Sequence, residues 1–184
     1  MSIWTESIAV ALDEALSSLA TAVDRCDERV WRKSMWDVPA RDPELPLTGP
    51  GGELVIDPAY RLVLVQRFST PWSISWHTLE VLDFDLAGGL ETWAGPPPFT
   101  NHPHWRDFTS LTDPWDRRVI LDYVEHCRQR ARITFEDLTD ATAGLVSSTH
   151  RRPDTTYARI LTGLVVHTVE HSAQITQFAQ WALP

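Results

Sequence analysis

The chain has 184 residues, of which 43% are hydrophobic and 22% charged, a composition typical of one globular domain that spans residues 1–184. Its formal net charge of −9 argues against a surface for nucleic acid or anionic membranes, because both need clustered Lys and Arg. No apolar run approaches the ~20 residues of a membrane span, no secretory signal is recognisable, and both cysteines lie in charged, helix-like contexts. We therefore expect a cytoplasmic protein with reduced thiols.

Apolar residues recur at spacings of three and four along much of the chain, which predicts four long helices. The expected helices span residues 2–33, 72–93, 114–139 and 155–183, and the second ends earlier if Gly88 and Gly89 stop it. Proline-rich loops are predicted at 37–70 and 94–114, and a polar loop at 140–155. Within the first loop, LVIDPAYRLVLVQRF is expected to hold an extended piece or a helical turn. Four long helices without long strands predict an all-α four-helix bundle.

The last predicted helix carries two histidines, His167 and His171, in the segment LVVHTVEHSAQI. Residues four apart lie about 6 Å from each other on one helix face, where two imidazoles can share one ion. His77, in the middle of the second predicted helix, is the candidate for a third ligand from a facing helix. The residues leave two interpretations open, a three-histidine metal site or buried histidines that each bond a carbonyl or carboxylate.

The remaining histidines and several tryptophans are assigned from their surroundings. Histidines in a loop or among charged residues are expected at the surface, namely His102, His104, His126 and His150. Large aromatic rings need a core or a cleft. We therefore expect the core or the wall of a cleft to contain Trp72, Trp76 and Trp93, and the mouth of the site to contain Trp105.

Two segments, PWSISWHTLEVLDFDL and LVVHTVEHSAQITQF, contain these three histidines, about 90 residues apart. The first is similar to the Trp-Ser-…-His block on the second helix of the DinB-like superfamily. The second is similar to that family's terminal block, His-x-x-x-His followed three residues later by Gln and an apolar residue. This superfamily of four-helix bundles includes bacterial thiol S-transferases and the mycothiol-dependent maleylpyruvate isomerase. The chain departs from many relatives at Glu170, where they have His, and at Ala173, where they have Gly.

The resemblance implies that His77, His167 and His171 hold a divalent metal, Zn, Ni or Fe, with open positions for water or substrate. It also implies a metal-dependent S-transferase or isomerase whose cosubstrate is a low-molecular-weight thiol such as mycothiol, bacillithiol or glutathione. Glu170 is either a solvent-facing carboxylate or a base and partner near the metal. Gln174 is either a hydrogen-bonding residue that faces the bundle or a plain helix former.

Arg61, Arg67 and Arg106 lie in the two proline-rich connections. They are either ordinary surface arginines or anchors for an acidic or sugar-bearing cosubstrate. The alternative function is a non-catalytic metal-binding DinB-like protein, a homodimer that serves in stress or binds small molecules, and a metal-dependent hydrolase is a third option. The expected partner is a small-molecule substrate, with neither nucleic acid nor membrane.

Overall fold

The structure is a computed structural model that describes residues 2–36, 58–88, 93–104, 115–146 and 154–182. Its α-helices are Ile3–Arg25 (α1), Glu28–Trp31 (α2), Pro58–Phe68 (α3), Pro71–Leu86 (α4), Arg117–Glu136 (α5), Asp140–Ala143 (α6) and Tyr157–Trp181 (α7). A 3₁₀ turn lies at Phe99–Asn101, and one antiparallel bridge joins Val146 to Thr156. The described residues contain no longer strand, so the all-α expectation is confirmed for them.

The first half of the chain differs from the predicted boundaries at two places. The helix expected over 2–33 is interrupted, because the Asp27 side chain accepts the backbone N–H of Arg29 and caps the short helix α2. The loop expected over 37–70 contains the 11-residue helix α3, which begins at Pro58, a residue that suits a first helical position. Residues 37–57 lie outside the described part of the chain.

Capping residues set the boundaries of the other long helices. Thr70 caps α4, which ends at Leu86 because Gly88 takes a φ of +86° that favours glycine. The third predicted helix begins at Arg117, later than expected, because Asp116 caps it. Likewise Thr156 caps α7, and the loop predicted at 140–155 includes α6.

Four helices of 16 or more residues, α1, α4, α5 and α7, pack around one core within the described residues. Both α1 and α4 pack against α5 and α7. The Cys127 thiol contacts the Leu79 carbonyl (3.7 Å) and the Thr134 hydroxyl donates to the Leu86 carbonyl (3.3 Å), so α4 and α5 run in the same direction. The chain between them must therefore return along α4, a length of about 24 Å.

The helix α4 is enclosed on nearly all sides. Every one of its side chains is buried except those of His77 and Val81, which are half-buried. Trp72 and Trp76 lie in the core, as expected.

Three buried residues of α4 are acidic, and Asp83 shows how such a charge is accommodated. Its carboxylate accepts hydrogen bonds from Trp93 Nε1 (2.6 Å) and the Tyr123 hydroxyl (3.2 Å), and it pairs with Arg130 and His126. These partners tie α4 to α5, and they offset the cost of removing the charge from water.

Candidate metal centre

The helices α4 and α7 bring His77, His167 and His171 together. On α7, the Nε2 atoms of His167 and His171 lie 3.0 Å apart. The ring centroid of His77 lies 5.3 Å from that of His167 and 5.8 Å from that of His171. One nitrogen from each of the three rings lies within 4.8 Å of the other two, and all three residues are partly buried.

Gln174 bonds the ring nitrogen of His171 that points away from His167. The side-chain Oε1 of Gln174 lies 2.8 Å from His171 Nδ1 and accepts a hydrogen bond from it. A neutral imidazole with the proton on Nδ1 has its lone pair on Nε2. That lone pair faces His167, so Gln174 acts as a hydrogen-bonding residue that orients His171, and the interpretation as a plain helix former is wrong.

The donor set fits a divalent transition metal. Two imidazole nitrogens that bind one ion at about 2.1 Å, with an angle between a right angle and the tetrahedral one, lie about 3.0–3.4 Å apart. The 3.0 Å between the His167 and His171 nitrogens agrees with this range. Imidazole donors suit Zn, Ni and Fe, and three protein ligands leave positions open for water or substrate.

His104 is a fourth histidine near this centre, and the prediction that it lies at the surface is wrong. It is 1% exposed, and its ring centroid lies 5.3 Å from that of His77. Its Nε2 bonds the Ser73 hydroxyl (2.8 Å), and its backbone N–H donates to the Glu80 carboxylate (2.5 Å). Burial, and secondarily the charge of His77, hold the pKa of His104 well below its usual value.

A cavity of about 570 Å³ opens beside the histidines, between α4 and α7. Its lining includes His77, Val81, Phe84 and Asp85 from α4, and Arg159, Ile160, Gly163, Leu164, His167 and Glu170 from α7. The Tyr157 hydroxyl lies 3.5 Å from the Asp85 carbonyl while His167 lies beside His77, so the two helices are antiparallel. The cavity therefore extends along both helices, from the histidines to Asp85 and Arg159.

The weaker candidates from the sequence have different outcomes. Glu170 is exposed and lines the cavity together with His77 and His167, whereas the described lining includes neither Arg61 nor Arg67. Both arginines belong to α3, and Arg67 borders a separate surface depression beside Trp72.

Five further predicted positions divide into two described histidines and three residues outside the described part of the chain. His102 is exposed as expected, whereas the prediction that His126 lies at the surface is wrong, because its ring is partly buried with Nε2 3.1 Å from the Asp83 carboxylate. Trp105, Arg106 and His150 lie outside the described residues.

Sequence reasoning missed three residues of this region. Gly163 lies one helical turn before His167, and Arg159 lies one turn before Gly163. This spacing is a weak signal that both residues lie near the histidines on the same side of α7. For His104, the only signal is its position between Pro103 and an aromatic residue.

The arrangement can hold a metal ion at the end of a cavity that admits a small molecule. No helix among the described residues is long and apolar enough to cross a bilayer. No protein-family model, curated protein or solved structure matches the chain.

Proposed function

We propose that the protein is a DinB-like four-helix bundle in which His77, His167 and His171 hold a divalent metal, and that it uses a low-molecular-weight thiol in an S-transferase or isomerase reaction. The observation that carries the proposal is the meeting of three histidines from two helices at the end of a 570 Å³ cavity. A structural metal site is usually closed by four protein ligands, whereas a catalytic site keeps a position open. The cavity would give a thiol and an electrophile access to that position.

When bound, the metal would supply Lewis-acid chemistry, by lowering the pKa of a thiol or polarising a carbonyl. The chain's own residues would prepare the site. Gln174 holds His171 with its Nε2 lone pair toward His167, and a hydrogen bond of this kind fixes the orientation of a ligand. The apolar side chains of the cavity wall would hold the apolar part of a substrate beside the histidines.

Glu170 is the proposed proton acceptor. Its carboxylate lies on the cavity wall with His77 and His167, and it forms no hydrogen bond or ion pair with another described residue. It would take the proton of the incoming thiol, so that the sulfur attacks the electrophile as a thiolate.

Thiol consumption by the metal-loaded protein, measured with a panel of electrophiles, tests the proposal. Elemental analysis with native mass spectrometry identifies the ion and the number of subunits. We expect His77→Ala to lose turnover, and Glu170→Gln to lose about 10²-fold or more while it retains the metal. His102→Ala is the matched control, because His102 is an exposed histidine.

Tight metal binding without turnover on any electrophile would reject the enzyme. That result would favour the alternative, a non-catalytic metal-binding DinB-like protein that binds small molecules or serves in stress. A homodimer is part of both proposals, and native mass spectrometry tests it.

A further inference from the structure

We infer that the cavity between α4 and α7 binds an organic anion with an apolar body, and that Arg159 holds the anionic group at the end away from the histidines. The inference rests on the proposed function, because it takes this anion to be the substrate whose other end reaches the metal centre.

Among the described residues of the cavity wall, Arg159 is the one Lys or Arg. Its guanidinium forms no hydrogen bond or ion pair with any other residue that the structure describes. Asp85, the acidic residue at the same end, is only 7% exposed and takes part in other interactions of the protein. A guanidinium presents a planar set of donors that matches a carboxylate or phosphate, so an anion is the group that this end selects.

The wall between the two ends is mostly apolar. It includes Val81, Phe84, Ile160 and Leu164. Gly163, one turn before His167, keeps this stretch open, since a Cβ built on it would meet nothing within 4 Å. A larger side chain at this position would extend into the cavity.

Length and volume limit the ligand to a small molecule. Arg159 and His167 are eight residues apart on α7, which corresponds to about 12 Å along the helix axis. The cavity volume of about 570 Å³ falls within the range of roughly 300–1,000 Å³ that small-molecule sites occupy. An elongated acid would place its anionic group at Arg159 and its opposite end beside the histidines.

The test is isothermal titration of the metal-free protein with octanoate, and with octanol as the uncharged probe of the same shape. Arg159→Gln should weaken octanoate binding roughly tenfold to a hundredfold, because a hydrogen bond to a charged group is lost, and should leave octanol binding unchanged. Arg118→Gln, which removes an exposed arginine of α5, should change neither affinity. Gly163→Phe should abolish the binding of both probes.

Octanoate binding that is equally tight in Arg159→Gln and in the parent protein would overturn the inference. Equal affinity of the parent for octanoate and octanol would also overturn it, as would octanoate binding that requires the metal. The binding assay contains no metal. Arg159-dependent binding without thiol consumption in the metal-loaded protein would therefore reject the proposed function and retain the anion site.

Discussion

Stabilisation of the fold by metal should depend on His77 of α4 as strongly as on the two histidines of α7. His167 and His171 lie one turn apart on α7, so an ion bound by these two alone stabilises a single helix. His77 comes from α4, and its participation ties two packed helices together. Loss of His77 should therefore weaken metal binding and remove most of the metal-dependent gain in stability, even though α7 still binds the ion weakly.

The expected size follows from linkage. A ligand that binds only the folded state adds about 2.7 kcal/mol to the free energy of unfolding at a free concentration of 100 Kd. For a domain of this length, each kcal/mol raises Tm by roughly 2–4 °C, so Zn²⁺ should raise it by roughly 5–11 °C. The bundle has its own apolar core, so the metal-free protein should be folded but less stable.

Thermal unfolding followed by circular dichroism, with and without Zn²⁺, measures this effect. His77→Ala and His171→Ala should each lose most of the rise in Tm, while the exposed control His102→Ala should keep it. A full rise in His77→Ala, or its loss in His102→Ala, would refute the assignment of the ligands. Because protons compete with metal for imidazole nitrogens, the rise should also shrink as pH falls from about 7 to 5.

Four further predictions concern single residues. Gln174→Ala should weaken metal affinity roughly 10–100-fold without removing a ligand, as measured by titration with a competing chelator. Gly163→Ala should raise the free energy of unfolding in urea by roughly 0.5–1 kcal/mol, because the added Cβ meets open space within a helix. The pKa of His104 is depressed in the folded state, so the unfolded chain binds the proton more readily. Stability of the metal-free protein should therefore fall as pH drops below about 6.5, by up to about 1.4 kcal/mol per pH unit until the folded pKa is reached, and His104→Gln should lose this part of the pH dependence. Asp83→Ala should lower the free energy of unfolding by about 3 kcal/mol, because it leaves Arg130 without its buried partner.

The histidines of the candidate site could be predicted because their signal is local. Spacing along one helix places His167 beside His171, and a histidine in an apolar helix is a natural partner for them. Neither the spacing of His167 and His171 nor the position of His77 within its helix depends on the exact helix ends. An error of a few residues there, such as the late start of α5 at Arg117, therefore does not affect the prediction. The same periodicity predicted the all-α class of the described residues.

Features set by tertiary packing could not be predicted in this way. His104 is buried because the chain between α4 and α5 passes His77, and a loop histidine with a proline on one side carries no sign of that path. The helix α3 was missed for a similar reason. Its apolar residues form no clear stripe, and two of them, Leu62 and Val63, are exposed. Packing against α4 fixes the position of this helix.

The return of the chain along α4 makes one connection unsuitable for protein engineering. Exposed loops usually accept inserted sequences and protease cuts. Residues 93–104 lie between α4 and α5, so a cut there would interrupt neither helix. This segment nevertheless carries Trp93, which bonds Asp83, and His104, which packs against His77. A tag or cleavage site placed there should alter metal affinity while the helical circular dichroism signal stays the same. The segment at residues 93–104 is thus part of the candidate metal centre, although it contributes none of the three proposed ligands.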